Sequence, residues 1–224
     1  MTELIVGIPL FSGVDLLDVV SAQEPFSFVE QVSAGQHKMT TYLIAQSIEL
    51  VETSPGGLRV MPDKTFQEIN EVDILWIPGG GPVSIETALQ DNILLDYIQK
   101  LGNYIEQFSK KSSLITSVCT GSLLLAKAGL LNGYKATTHW QFIPCLREFP
   151  EVEILEEYNR FVTDCNRITG GGISSGIEEA LEIIRIVISD DVSQKVREIL
   201  EYYPKISEDI PPTENTCNIC TGSC

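Results

Sequence analysis

Strand-length apolar runs alternate with longer amphipathic ones along most of this chain, and that alternation narrows the available architectures more than any other feature. "LIVGIPLF" (4–11), "TTYLIAQ" (40–46), "VDILWIPGG" (72–80) and "SLITSV" (113–118) read as buried strands, each feeding a turn or a helix. Runs with helical spacing predict helices near 13–31, 83–108, 120–129 and 174–202, the last broken at "SDD" (189–191), a cluster of N-capping residues. Repeated strand–helix–strand units imply an α/β protein with a mostly parallel, doubly wound sheet and helices on both faces. Between the second and third runs, "IELVETSPGGLRVMPDKTF" carries a Pro-Gly-Gly turn, which predicts an antiparallel hairpin. "KATTH" (135–139), "VEILEE" (152–157), "RFVTD" (160–164) and "RITGG" (167–171) are expected to complete the sheet.

A chain of 224 residues suits one such domain with its own core, assigned to 1–203. From Pro204 onward the periodicity is lost and Pro, Asn and Thr accumulate, so 204–224 is expected to be an extended or disordered tail. No apolar stretch approaches the roughly 20 residues a membrane helix needs. The N-terminal apolar run is strand-length and lacks a basic leader, so the chain is expected in the cytoplasm. Fifteen Lys and Arg against 31 Asp and Glu give a formal charge of −16, with no basic run longer than "KK" at 110–111. Such a chain repels a phosphate backbone, and nucleic acid is not an expected partner.

Six cysteines in a reducing compartment do not suggest a disulfide framework. Cys145 and Cys165 are expected to be packing residues. In the tail, "CNICTGSC" spaces Cys217, Cys220 and Cys224 as C-x-x-C-x-x-x-C, but a closed zinc site takes four ligands and the tail offers three. A flexible, reduced tail without metal is the expectation.

Cys119 stands apart because it lies where a buried strand ends and "TGSLLLAKAGL" begins, at the carboxyl edge of the sheet where α/β proteins bind ligands. Ser117-x-Cys119-x-Gly121 resembles a nucleophile elbow, whose small flanking residues permit the sharp turn. A sulfur at a helix N-terminus faces unpaired N–H groups that favour thiolate, although most free cysteines simply pack as small hydrophobes. "IPGGGPVS" (77–84) follows a neighbouring strand, and N–H groups of Gly80 or Gly81 with that of Thr120 are candidate oxyanion donors. A dinucleotide loop would require a third glycine, and a tight connection alone would also use glycine here.

"SGVDLLDVVSA" (12–22) supplies two acids. Asp15 is expected to cap the first helix. Asp18, among Leu16, Leu17, Val19 and Val20, must be hydrogen-bonded, paired or protonated if it is buried, and is an ordinary surface acid if it is not. A carboxyl near Cys119 would titrate jointly with it and could donate a shared proton. Of two histidines, His37 and His139, neither adjoins Cys119 in sequence; His139 is a candidate pocket residue or a structural one. "ITGGGISSGIEEA" lacks the His-x-Glu that a Cys-His-Glu glutaminase needs, which disfavours amide transfer.

"SVCTGSLLLAKAGLL", "ATTHW" and "TGGGISSGIEEAL", in this order, resemble the ThiJ/PfpI superfamily and, within it, the isonitrile hydratase branch, over about residues 4–203. The resemblance implies a flavodoxin-like three-layer sandwich, a homodimer, no metal or organic cofactor, and an active cysteine that maps onto Cys119. Protease-like members follow that cysteine with His, whereas Thr120 follows it here, as in the hydratase branch. That branch uses an aspartate in a Leu-Asp context, matched by Leu17-Asp18, and usually has Gly-Pro a few residues on, where this chain has Ser21-Ala22. The implied chemistry is attack of Cys119 on an isonitrile protonated by Asp18, then hydrolysis of the thioimidate to an N-substituted formamide, with the Thr120 hydroxyl positioning water or substrate. A cysteine redox sensor and a glyoxalase-like aldehyde enzyme are the other readings. A regulator with an appended DNA-binding module is not expected, since the sequence leaves no room for a helix-turn-helix.

Overall fold

In the computed structural model, which describes residues 1–108, 112–155, 159–204, 216, 217 and 219, the first apolar run forms β1 (Thr2–Pro9). A two-residue strand β2 (Val14–Asp15), helix α1 (Leu16–Ser27) and a single turn α2 (Val29–Val32) lead to β3 (His37–Ala45). The hairpin forms as β4 (Val51–Ser54) and β5 (Arg59–Val60), followed by β6 (Lys64–Thr65) and β7 (Ile74–Ile77). Helices α3 (Pro82–Ala88) and α4 (Asn92–Gln107) return the chain to β8 (Leu114–Ser117), and α5 (Gly121–Lys127) starts directly from its end. Then come β9 (Lys135–Ala136), a short 3-10 turn at Trp140–Phe142, α6 (Ile143–Leu146), β10 (Glu153–Ile154), β11 (Phe161–Asp164), β12 (Arg167–Gly170), α7 (Ser175–Val187) and α8 (Asp190–Ile199).

Among the described residues, the main sheet has the order β11-β12-β8-β7-β1-β3-β6, parallel throughout except for β11 against β12. The chain runs outward from β1 through β3 to β6, then restarts on the other side of β1 with β7 and runs through β8 to β12. The order therefore reverses between β1 and β7, and the loops after those strands diverge to leave a crevice at their carboxyl ends. Helices α1, α2, α7 and α8 pack together on one face and α4 with α5 on the other, so the fold is the expected three-layer, flavodoxin-like α/β sandwich. β7 is buried at every position, as a central strand covered on both faces must be, and Trp76 on it donates to the Asp18 carbonyl at 2.9 Å. That bond fastens the start of α1 onto the sheet.

The helix expected over 13–31 begins only at Leu16, because Val14 and Asp15 pair with Thr53 and Ser54 of the hairpin. The helix expected over 83–108 is divided at Leu89–Asp91, where Asp91 caps α4 by accepting from the N–H groups of Ile93 and Leu94. Of the four short strands expected to complete the sheet, only β11 and β12 join it; β9 and β10 pair with each other in a separate two-stranded sheet. Residues 156–157 of "VEILEE" lie outside the described residues.

The cysteine reading needs correction. Cys145 and Cys217 form a disulfide across 72 residues of sequence, so Cys145 is not simply a packing residue and Cys217 is not a reduced tail thiol. Ile219 is buried in the main core, which ties this part of the tail to the domain. The sulfur of Cys217 is thereby spent and is no thiolate ligand; Cys220 and Cys224 lie outside the described residues, as do 205–215. Cys119 and Cys165 are free.

Asp15 is the N-cap of α1, its carboxylate accepting from Leu17 N–H at 3.0 Å, as expected. Asp15→Ala removes that acceptor and is expected to cost about 1 kcal/mol. Asp15→Asn keeps the cap and should stay within a few tenths of the parent. Urea unfolding midpoints of the two variants check this.

Candidate functional site

Cys119 has φ +55°, in the left-handed region that a side-chain-bearing residue enters only when its surroundings enforce it. The sequence enforces it by removing bulk on either side. A Cβ on Gly121 would lie 2.2 Å from the Ile77 carbonyl oxygen, and one on Gly79 would lie 2.6 Å from Thr120 N and 3.0 Å from Asp18 Oδ2. Glycine at both positions lets the start of α5 settle onto the loop after β7. The elbow predicted from Ser117-x-Cys119-x-Gly121 is thus present in backbone form.

Three loops meet there. From the β1 side comes Asp18, fully buried, its Oδ2 accepting from Gly79 N–H at 2.8 Å. From the β7 side, Gly79 also accepts Asp15 N–H through its carbonyl at 2.8 Å. From the β8 side, Thr120 Oγ1 donates to the Gly80 carbonyl and accepts from Gly80 N–H, both at 2.9 Å. Among the described residues Asp18 Oδ1 is buried without a hydrogen-bond partner, and the carboxyl stands near enough to Cys119 for its charge to act on the thiol. Cys119 is only 5% exposed, and its carbonyl accepts from Thr138 Oγ1 at 3.0 Å.

Two expected roles change with this geometry. Gly80 N–H is committed to Thr120, so it is not a free oxyanion donor, and the Thr120 hydroxyl clamps the elbow to the glycine loop in place of holding a water or substrate. Gly81 is half-exposed and opens α3 as its N-cap. His139 is half-buried beside the elbow segment, its Nδ1 accepting from Gln141 N–H at 3.3 Å at the start of the 3-10 turn, and burial lowers its proton affinity. It stands one residue beyond Thr138 and caps a turn.

The electrostatics also differ from the expected low thiol. Burial first, then the Asp18 carboxylate, push the Cys119 thiol well up, and the Thr120 N–H at the helix start only partly offsets them. Burial first, then the Asp15 charge, push Asp18 well up against the pull of Gly79 N–H. Both groups therefore bind their protons more tightly than they would in water, and an ionised Asp18 opposes ionisation of the thiol.

A second buried acid escaped the sequence reading. Glu179 is fully buried on α7, its Oε1 accepting from Ser175 Oγ at 3.0 Å and its Oε2 without a hydrogen-bond partner. Gly170 makes room for it, since a Cβ there would meet the carboxyl at 1.6 Å. Burial holds Glu179 well above the carboxylate range and the Asp18 charge adds to this, while Arg160 is engaged by Glu178 at 2.8 Å. The signal was present: Glu179 stands three residues after Gly176 and four before Ile183, on the stripe that α7 turns inward.

A cavity of about 340 Å³ opens at the same sheet edge between the ends of β1 and β3. Phe11 lines it and also approaches Gly80, so this cavity borders the glycine loop, and Cys119 is not among its lining residues.

Two predictions follow from the charges. Asp18→Asn and Asp15→Asn each remove a negative charge that raises the Cys119 thiol, so the pH midpoint of Cys119 alkylation by iodoacetamide should move down in both, more in Asp18→Asn. A carboxyl raised by folding stabilises below its unfolded value and loses that contribution as pH rises through its folded one. Urea stability of the parent should accordingly decline from about pH 5 upward, and Glu179→Gln should flatten that decline.

Comparison with known proteins converges on one family. The DJ-1/PfpI family model matches residues 6–186. The chain is 34% identical over 199 residues to an isonitrile hydratase from Pseudomonas putida, covering 89% of this chain and 78% of that protein. It is 26% identical over 198 residues to the HTH-type transcriptional regulator GbdR from Pseudomonas aeruginosa, covering 88% of this chain but only 50% of the regulator. A crystal structure of a ThiJ/PfpI family protein from Pseudomonas syringae superposes with a TM-score of 0.76 at 28% identity, over 92% of this chain and 78% of that one. With an elbow cysteine at the carboxyl edge of a doubly wound sheet and a family match over most of its length, the chain belongs to the DJ-1/PfpI family.

Proposed function

We propose that the protein hydrates an isonitrile to an N-substituted formamide, with Cys119 as nucleophile and Asp18 as acid and base. The observation that carries this reading is the convergence of the buried Cys119 elbow and the buried Asp18 on one glycine loop, Gly79 N–H reaching Asp18 Oδ2 at 2.8 Å and Gly80 N–H reaching Thr120 Oγ1 at 2.9 Å, where burial raises the proton affinity of thiol and carboxyl alike. An isonitrile carbon holds a lone pair that takes up a proton, and once protonated it accepts a nucleophile. A carboxyl of raised proton affinity near a thiol suits both halves of that step.

The proton balance closes within the site. Asp18 gives its proton to the isonitrile carbon while the Cys119 sulfur bonds to the same carbon; the thiol proton passes to the Asp18 carboxylate, leaving a thioimidate. Asp18 then protonates the thioimidate nitrogen and takes a proton from the incoming water. Collapse of the tetrahedral adduct expels the sulfur, which recovers a proton, and releases the formamide. Gly79 N–H fixes the Asp18 carboxyl through each transfer. Thr120 acts by holding Gly80, and the N–H groups of Gly81 and Thr120 remain the donors nearest to hand for charge on the adduct. His139 borders the site through Thr138 as a wall residue. A slender linear substrate fits a thiol that is 5% exposed. The low accessibility and raised titration of Cys119 weigh against the redox-sensor reading, since easily oxidised cysteines are exposed thiolates. A homodimer is carried over from the family resemblance.

Cyclohexyl isocyanide incubated with the protein should yield N-cyclohexylformamide, followed by chromatography. Cys119→Ala and Asp18→Asn should each lower turnover by at least 100-fold while the circular dichroism spectrum is kept. No formamide from the parent protein, or undiminished turnover in Cys119→Ala, would refute the reading.

A further inference from the structure

The Cys145–Cys217 disulfide is a feature that the proposed chemistry does not use. It joins α6 to the C-terminal segment across 72 residues, with Cys145 fully buried, Cys217 part-buried and Ile219 packed into the core beside them. Disulfides in reducing compartments are mostly transient or regulatory, whereas those of secreted proteins are permanent staples. What distinguishes this one is its place. Its anchor α6 packs on α5, the helix that begins at the Cys119 elbow. The same short segment begins at Thr138, whose hydroxyl bonds the Cys119 carbonyl at 3.0 Å. Between them the chain is tied by its own turn, Phe142 N–H donating to the His139 carbonyl at 2.7 Å and Gln141 N–H to His139 Nδ1 at 3.3 Å, with no glycine from Thr138 to Cys145.

We propose that the Cys145–Cys217 bond is a redox clasp that ties Cys217 and the buried Ile219 to α6 and thereby braces the wall over Cys119, and that a dithiol reductant releases it. The inference rests on the elbow geometry and the disulfide and does not require the hydratase reading. The exchange balances without any other reagent class. One thiolate of the dithiol attacks the Cys217 sulfur, the more accessible of the two, and Cys145 leaves as thiolate and takes a proton. The second thiol of the reductant then attacks the mixed disulfide, Cys217 leaves as a thiol, and the reductant closes to its own cyclic disulfide, having supplied two electrons and two protons. Freed from the strap, α6 and the turn before it lose their outer support, and Cys119, otherwise nearly sealed, becomes easier to reach.

The test uses the full chain without any isonitrile, so its failure is separate from failure of the hydratase reading. Protein is compared as purified and after dithiothreitol treatment followed by anaerobic desalting. Acid quenching and N-ethylmaleimide first establish the state of Cys145 and Cys217, and peptide mass spectrometry then follows the rate of Cys119 alkylation by iodoacetamide, with Cys165 resolved separately. Reduction should raise the Cys119 rate at least threefold and open the chain around Cys217 and Ile219 to limited proteolysis. The Cys145→Ser/Cys217→Ser double variant should react at the raised rate and ignore dithiothreitol; if that variant does not fold, the reduced parent protein carries the test alone. Finding Cys145 and Cys217 as free thiols in the untreated protein, or an unchanged Cys119 rate once their bond is gone, would overturn the proposal.

Discussion

The left-handed backbone at Cys119 is the constraint on which the rest of the site depends. A residue with a Cβ at φ +55° costs about 1–2 kcal/mol relative to an ordinary conformation, so something must hold it there. The holding is mutual. Gly121 and Gly79 give up side chains so that the elbow and the loop after β7 can touch, and Thr120 closes the contact with two hydrogen bonds to Gly80. The same loop then presents Gly79 N–H to Asp18 and the Gly79 carbonyl to Asp15 N–H, so the entry to α1 is aligned by what the elbow requires. Three loops from three adjacent strands thus form a single unit, and the topological reversal between β1 and β7 makes the room for it.

This arrangement was legible in the sequence where one residue type alone can do the job. The buried strands of the main sheet were readable because continuous apolar runs of that length have few other uses, and Cys119 was readable because small residues on both sides of a strand end imply a tight turn. What was not legible depends on partners distant in the chain. The start of α1 is delayed by pairing with Thr53 and Ser54, nearly 40 residues on, and no local propensity reports that. "KATTH" and "VEILEE" have strand-like composition, but composition does not say which sheet a strand joins. The disulfide was missed for the same reason, since nothing in the spacing of Cys145 and Cys217 indicates that their ends meet.

A helix start does lower a thiol's proton affinity, and Thr120 N–H acts in that direction on Cys119, but burial and the neighbouring Asp18 act more strongly the other way. Which effect wins is a question of solvent access, and the sequence gives no direct measure of it. Glu179 makes the same point from the acid side. Beside a second glutamate on an amphipathic helix it looks like surface, yet it sits on the inward stripe because Gly170 leaves a space of its shape. A chain carrying a formal charge of −16 thus buries three of its acids, Asp15, Asp18 and Glu179.

That enclosure argues for the kind of substrate the site takes. Asp18 and Asp15 act electrostatically on a buried thiol, so ionised they oppose an anion, while the rise in their proton affinity on burial makes them offer a cation less than two free carboxylates would. A neutral molecule pays neither penalty. On the proposed chemistry it must also be one whose reacting atom accepts a proton from Asp18 and a nucleophile from Cys119. Few functional groups meet all three conditions at a single atom. An isonitrile carbon does, whereas an aldehyde takes the proton on oxygen and the nucleophile on carbon and would need a donor displaced from the sulfur. In the described structure the groups nearest to that role are backbone N–H groups, and that of Gly80 is already bonded to Thr120. Asp18, the carboxyl that acts most strongly on the Cys119 thiol, comes from the neighbouring loop, and proton and sulfur delivered to one atom are what the proposed chemistry calls for.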